Sequence, residues 1–123
     1  MTSHYARCII GAPFNSVFES LKQRFGNVYS RQFAFDDSRS VGVILGEQYF
    51  FRVSSDAAVA VVLQTMDKST TILEIISCAG GRGMLGVSYA AHKAYVSDVK
   101  KYLQDRNFTV DVEEEIPYYS STV

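Results

Sequence analysis

The sequence predicts an α+β domain in which a mostly antiparallel sheet of five to seven strands carries two helices on one of its faces. Two helical segments, one near each end of the chain, enclose a series of strand-like segments. Short polar connections join these segments, and short connections favour antiparallel neighbours. The 123 residues fit a single domain, and we expect a folded core over 5–115 with an irregular tail over 116–123.

The first elements are a strand at 5–11 and a helix at 13–25. Pro13 suits the first turn of a helix, where the N–H that it lacks would have no partner. Apolar residues, among them Phe18 and Leu21, then recur at helical spacing until a glycine follows Phe25. We expect this apolar face to lie on the sheet.

The middle of the chain is typical of a meander of strands. Its strand-like segments are rich in β-branched and aromatic residues and lie at 28–35, 41–45, 49–53, 58–66 and 70–78. Gly46-Glu47-Gln48 separates the second and third segments and predicts a hairpin turn. Two further turns are expected at 54–56 and at 67–69.

A second helix is predicted over 88–105, followed by a last strand in which Phe108, Val110 and Val112 alternate with polar residues. Because this strand follows the last helix, we expect it at an edge of the sheet. Its acidic residues would guard that edge against pairing with another chain. Its apolar residues still need a cover, and two helices are few for a wide sheet, so we expect a homodimer.

A glycine-rich turn at 80–86 contains the pattern G-x-G-x-x-G between a strand and a helix. A dinucleotide site would use these glycines and an acid such as Glu113 at the end of the next strand. Only one βαβ unit is available, however, which argues against that site. Alternatively, the amides of Gly80, Gly81 and Gly83 could bind an anion together with Arg82. The simplest interpretation is a tight crossover with Arg82 in solvent.

Three side chains are candidates for acid–base chemistry, namely Glu74, Asp98 and His92. Glu74 interrupts an apolar strand, and Asp98 falls on the apolar face of the second helix. If both carboxylates faced one pocket, their pKa values would be shifted. The alternative places Glu74 on the solvent side of a one-sided sheet and Asp98 at the margin of the helix. We expect His92 at the boundary of the core and His4 in a frayed terminus.

Composition excludes several classes of function. Twelve basic and thirteen acidic residues leave a formal charge of −1, without the basic excess that drives nucleic-acid binding. Cys8 and Cys78 lack metal-ligand spacing and are expected to be buried thiols, so no metal or cofactor is expected. No apolar run has the length of a membrane span, and the N-terminus lacks the apolar core of a signal peptide. We therefore expect a cytoplasmic protein without a membrane partner.

The phrase ISCAGG (76–81), preceded by strands and followed by a helix, resembles a small uncharacterised prokaryotic family, a domain of unknown function. This resemblance implies no activity. The segment APFNSVFESL (12–21) is similar to helix-grip domains of the START and Bet v 1 type, which bind lipids. The present chain is shorter and continues into a strand after its last helix, which argues against a large lipid cavity.

These observations favour a small soluble domain that binds a protein or a small anionic or apolar ligand, because no complete catalytic constellation is visible. The alternative is a small enzyme or anion-binding protein. It would use the Gly80–Gly86 loop with Glu74 and Asp98 as acid and base.

Overall fold

The computed structural model describes residues 3–50, 55–78 and 85–119 of the chain. Within these ranges the elements are, in order, β1 (Ser3–Ile10), α1 (Phe14–Phe25), β2 (Tyr29–Ala34), β3 (Ser40–Phe50), β4 (Ser55–Asp67), β5 (Thr70–Cys78), α2 (Leu85–Asp105) and β6 (Val110–Tyr119). The two helices thus begin and end close to the predicted positions. The predicted strand at 49–53 and the turn at 54–56 lie partly outside the described residues.

The strands form one antiparallel sheet in the order β2-β3-β4-β5-β1-β6. β1 therefore returns between β5 and β6, so that the first and last strands are neighbours. The expected α+β class is confirmed, and β6 lies at an edge of the sheet, as its position after α2 predicted.

The core lies between the sheet and the two helices. α1 contributes Val17, Phe18, Leu21 and Phe25, all of which are buried. The buried apolar residues of α2 are Ala91, Tyr95, Val96, Val99 and Leu103. Facing them, alternate residues of β1, β4 and β5 are fully buried, which places both helices on the same face of the sheet.

The predicted hairpin turn at Gly46-Glu47-Gln48 is wrong. β3 runs without interruption from Ser40 to Phe50 and pairs with β4 along this length, with Gly46 opposite Val59. Gly46 is buried at the place where the end of α1 and Tyr95 of α2 come closest to the sheet. A glycine that indicated a turn instead provides space for close packing.

The prediction of an irregular tail from residue 116 is also wrong, because β6 continues to Tyr119. The β1–β6 ladder resumes with Ser3 opposite Tyr119 after an irregularity that contains Pro117. Proline lacks a backbone N–H and is tolerated at such a bulge on an edge strand. The side chain of Ser3 supports this end, since Ser3 Oγ donates a hydrogen bond to the backbone carbonyl oxygen of Tyr119 at 2.8 Å.

Candidate functional site

The glycine turn cannot be described as a site. Gly80, Gly81, Arg82 and Gly83 lie outside the described residues, and of the G-x-G-x-x-G pattern only Gly86 falls within them, in the first turn of α2. The anion-binding interpretation therefore stays a hypothesis.

Glu74 and Asp98 lie on opposite faces of the sheet. The neighbours of Glu74 in β5, Leu73 and Ile75, are fully buried beneath the helices, so Glu74 points to the other side. There it accepts a hydrogen bond of 2.7 Å from Tyr5 Oη. The interpretation that both carboxylates face one pocket is therefore wrong, because residues 74 and 73 alternate across the pleat.

Asp98 lies half-buried on α2, in a shallow cleft of about 210 Å³ that it shares with Arg24 and Lys101. Burial raises the pKa of this carboxyl group, while the charges of Arg24 and Lys101 act in the opposite direction. This environment is a charged margin between α1 and α2, which agrees with the alternative placement of Asp98.

Both histidines are more deeply buried than the sequence predicted. His92 is 1% exposed on α2, and His4 is 2% exposed within β1. His92 is thus a core residue instead of a boundary residue. The expectation of a frayed terminus at His4 is wrong, because β1 begins at Ser3 and is paired on both sides, by β5 and by β6.

These histidines belong to a polar cluster beneath α2, which we define as His4, Ser77, His92, Lys100 and Glu115. His4 Nε2 lies 2.6 Å from Glu115 Oε2, and Lys100 Nζ lies 2.7 Å from Glu115 Oε1. Ser77 is the ladder partner of His4 in β5. One carboxylate of the edge strand therefore joins β6 to both β1 and α2.

The electrostatics of the polar cluster keep Glu115 ionised. Partial burial acts to raise the pKa of Glu115, but the hydrogen bonds from Lys100 and His4 hold it below its ordinary value. Burial lowers the pKa of His92, and the neighbouring His4 acts in the same direction. The nearby Cys8 thiol stays protonated, because burial raises its pKa to about 11.

The polar cluster contains the residue types of a serine–histidine–acid triad. Ser77, however, is fully buried, and among the described residues its hydroxyl group has no hydrogen-bond partner. A nucleophile at this position does not reach a substrate in solution. The arrangement is suited to fixing α2 and β6 on β1.

Acid should destabilise the fold through His92. The unfolded chain takes up a proton at this residue near pH 6.5, whereas the folded chain resists protonation. The free energy of unfolding should therefore fall as the pH drops below about 6.5, by at most about 1.4 kcal/mol per pH unit. Urea unfolding between pH 7.5 and 5.5 measures this slope.

His92→Gln should flatten that slope, since an amide does not titrate in this range. Lys93→Gln, on the exposed side of the same helix turn, should leave it unchanged. Equal slopes for the wild type and His92→Gln would contradict the assignment. Protonation of Glu115 would remove stability only at lower pH, because its folded pKa is depressed.

The sheet face opposite the helices, which we call the open face, forms three rows across all six strands. The upper row consists of Tyr29, Leu45, Ala60, Ile76, Tyr5 and Ile116. The middle row consists of Arg31, Val43, Val62, Glu74, Arg7 and Glu114. The lower row consists of Phe33, Val41, Gln64, Ile72, Ile9 and Asp111.

The open face is apolar at most positions. A one-sided antiparallel sheet normally alternates between apolar residues towards the core and polar residues towards water. Here Val41, Val43 and Leu45 of β3 point outward, and Val62 at the centre of the face is 37% exposed. Exposed apolar patches of this extent mark interaction surfaces in soluble proteins.

A hollow of about 290 Å³ interrupts the open face above β4. Two small side chains, Ala58 and Ala60, form its floor, and Leu45, Ile76 and Cys78 stand around it. The alternation of small and large side chains gives this apolar face a relief into which another apolar surface can pack.

Four of the five charges in the three rows of the open face lie in the middle row, and the fifth, Asp111, lies in the lower row. Arg7 is flanked in register by Glu74 on β5 and by Glu114 on β6, which places opposite charges next to each other. Tyr5 stacks on Tyr119 with 4.8 Å between ring centroids. Burial and the hydrogen bond to Glu74 raise the pKa of Tyr5, so its hydroxyl group stays neutral.

A cleft of about 590 Å³ lies at the start of α1, between the β2–β3 turn and the β4–β5 turn. Its turns are held by their own side chains, since Asp36 accepts hydrogen bonds from Ser38 and Arg39. Backbone and side-chain hydrogen bonds at this turn lower the pKa of Asp36 to about 2. Ser38 and Arg39, which line the cleft, thus also hold the β2–β3 turn.

Sequence reasoning missed His4, Lys100 and Glu115 as a unit and the open face as a surface. The polar cluster depends on the register of β1 with β5 and β6, which no local pattern encodes. A signal for the open face did exist. The segments at 58–66 and 70–78 are apolar at consecutive positions, as in strands covered on both sides.

Comparisons of this chain with protein-family models, with curated proteins and with solved structures found no match. In the described part of the chain, neither helix combines the length and hydrophobicity needed to cross a membrane. Across residues 3–50, 55–78 and 85–119, no group of three or more histidine, cysteine or acidic side chains is arranged to hold a metal ion.

Proposed function

We propose that this chain is a protein-binding domain that forms a homodimer through the open face. The observation that carries the proposal is the apolar composition of that face at positions where a solvated sheet carries polar residues. The helices already cover the opposite face, so among residues 3–50, 55–78 and 85–119 the open face is the large apolar surface left to a partner.

The size of the open face fits a stable interface. Six strands spaced about 4.8 Å apart, each contributing about seven residues at 3.3 Å, give a flat area of roughly 650 Å². Side-chain relief adds to this value, and a standard interface buries about 800 Å² per partner. Burial of mostly apolar area of this size supplies a driving force for association.

A second copy of the chain is the partner that the charges favour. The three rows of the open face carry two basic and three acidic side chains, namely Arg7, Arg31, Glu74, Asp111 and Glu114. A surface with both signs of charge can complement itself. Two stacked sheets of this kind would bury their inner faces like the two halves of a β-sandwich.

The edge of β6 contributes less to this proposal than the sequence suggested. Phe108 and Val110 pack against the core of their own chain, so they need no partner. Of the three apolar residues that the sequence assigned to the last strand, only Val112 is largely exposed, at 41%. The uncovered apolar surface is therefore the open face and not the last strand.

Val62→Glu should convert the dimer into a monomer, because it places a charge at the centre of the buried interface. Sedimentation velocity should give twice the chain mass of 13.7 kDa for the wild type and the chain mass for the variant. Val112→Glu is the matched control. It has a similar exposed fraction but lies on the helix side of β6, opposite Cys8, and should stay dimeric.

Circular dichroism must show that both variants are folded. A monomeric wild type at several hundred micromolar would refute the proposal. A folded Val62→Glu variant that stays dimeric would assign the dimer to another surface.

A further inference from the structure

Resting on the proposed homodimer, we propose that its two-fold axis runs parallel to the strands, between β4 and β5, and that Arg31 of each copy faces Glu114 of the other. The arrangement makes the interface specific for a second copy of this chain. Three features of the open face support it, namely the order of charges in its middle row, its relief and the position of Arg31 and Glu114 on the two edge strands.

The charges of the middle row distinguish between two symmetric ways of stacking the sheets with aligned strands. An axis perpendicular to the strands would place each strand on its own copy. Arg31, Glu74, Arg7 and Glu114 would then each lie opposite the same residue of the other chain. Four like-charge contacts across one row would oppose association.

An axis parallel to the strands reverses the strand order instead. β2 then lies over β6 of the partner copy, β3 over β1 and β4 over β5. In the middle row, Arg31 faces Glu114, an opposite-charge contact that occurs twice because of the symmetry. Arg7 and Glu74 face Val43 and Val62, while each stays beside the other in its own sheet.

The relief of the open face fits the same axis. With β4 over β5, the large side chain of Ile76 faces Ala60, which forms the floor of the hollow. The contact again occurs twice, once on each side of the axis. Under the perpendicular axis, β4 would lie over β4 with the rows exchanged, and Ala60 would face the polar side chain of Gln64 of the other copy instead of an apolar one.

Arg31 and Glu114 lie on the two edge strands, at the rim of the interface. The guanidinium group of Arg31 lies 4.7 Å from the ring centre of Phe33. This cation–π contact holds the positive charge of Arg31 on the open face. Charge pairs at a rim select the partner and its orientation. Aligned sheets cross at about 30°, and the long arginine side chain accommodates the resulting offset.

Charge reversal tests the axis. Arg31→Glu and Glu114→Arg should each weaken the homodimer by at least about tenfold, because each variant turns two attractive contacts into two repulsive ones. An equimolar mixture of the two variants should form a heterodimer with nearly wild-type affinity, since both contacts then pair opposite charges. Sedimentation of the separate and mixed chains measures these affinities, and one fluorescently labelled variant identifies the heterodimer.

Glu19→Arg, on the exposed surface of α1, is the control for a change in net charge and should dimerise like the wild type. The double variant Arg31→Glu/Glu114→Arg should regain the homodimer. Because Glu114→Arg also places a charge beside Arg7, circular dichroism checks its fold, and Glu114→Gln provides a milder variant that should weaken association at low salt.

The outcomes separate this inference from the dimer itself. If Val62→Glu abolishes association but the mixture shows no preference for the heterodimer, the interface stands and the axis is wrong. The axis is equally wrong if neither charge reversal weakens the homodimer. If the wild type is monomeric, both proposals fail.

Discussion

Gly46→Val is expected to destabilise the fold by at least about 3 kcal/mol, the upper end of the range for overpacking. A Cβ atom at this position would overlap the carbonyl oxygen of Phe25 and come within 2.9 Å of Tyr95 Oη. The first obstacle is backbone at the end of α1, so it cannot rotate away. Either β3 or the end of α1 would have to move.

Urea unfolding at a fixed protein concentration measures this effect, and the concentration must match because association contributes to apparent stability. Glu47→Val is the control, and because Glu47 also lines the hollow of the open face, the chains are compared at a dilution at which sedimentation finds each of them monomeric. It introduces the same side chain at the adjacent exposed position and should change the free energy of unfolding by no more than about 0.5 kcal/mol. A Gly46→Val variant as stable as this control would show that α1 does not approach β3 so closely.

The same glycine shows what local patterns predict and what they do not. Class, strand direction and both helices followed from periodicity and short polar connections, which are local features. Gly46 predicts a turn and Pro117 falls in the predicted irregular tail, since these residue types break regular structure in most contexts. Both lie inside strands, because contacts from distant parts of the chain determine their roles, namely Phe25 and Tyr95 for Gly46 and β1 for Pro117.

The candidate site residues likewise combine features that local patterns predict with contacts that depend on distant parts of the chain. Alternation along β5 could place Glu74 on one face, but only the ladder with β1 brings it to Tyr5 and Arg7. The strand order β5-β1-β6 brings Glu115 to His4, 111 residues away in the sequence. The position of β1 between β5 and β6 is a property of the sheet topology, and hydrophobic periodicity alone does not specify that topology.

The two faces of the sheet have distinct roles in this account. One face holds the core and the polar cluster, which ties the edge strand β6 to α2 through Glu115 and Lys100. This tie positions β6, and β6 carries Glu114 on its other side. Because Glu114 and Glu115 are adjacent in β6, the contacts that hold β6 on the helix side also fix the position of Glu114 on the open face.

Phe18→Ala is expected to cost about 3–5 kcal/mol, the usual range for removing a buried phenylalanine. Phe18 is 3% exposed, stacks with Phe14 at 5.8 Å between ring centroids and covers β3 at Gly42. Its removal leaves a cavity between α1 and the sheet. Urea unfolding measures the loss, and a change below about 1 kcal/mol would show that this side of α1 does not face the core.

The packing of Phe18 on Gly42 predicts a change of sign in a double-mutant cycle. In the wild type, Gly42→Ala should destabilise the fold, because the new Cβ would lie 2.5 Å from a ring carbon of Phe18. In the Phe18→Ala background the ring is absent. The same substitution should then be neutral or stabilising by up to about 1 kcal/mol, since alanine is favoured over glycine within a strand.

The coupling between the two sites should accordingly reach about 1–3 kcal/mol, the range for residues in direct contact. Phe14 stays in place in all four variants, and its ring tip would lie 3.1 Å from the new Cβ. This contact reduces the stabilisation expected from Gly42→Ala in the Phe18→Ala background without turning it into a destabilisation. Additive effects of Phe18→Ala and Gly42→Ala would mean that the two residues do not touch. Glycine weakens a strand unless another group packs against its backbone. If Phe18 does not do so, the presence of glycine at position 42 would need a different explanation.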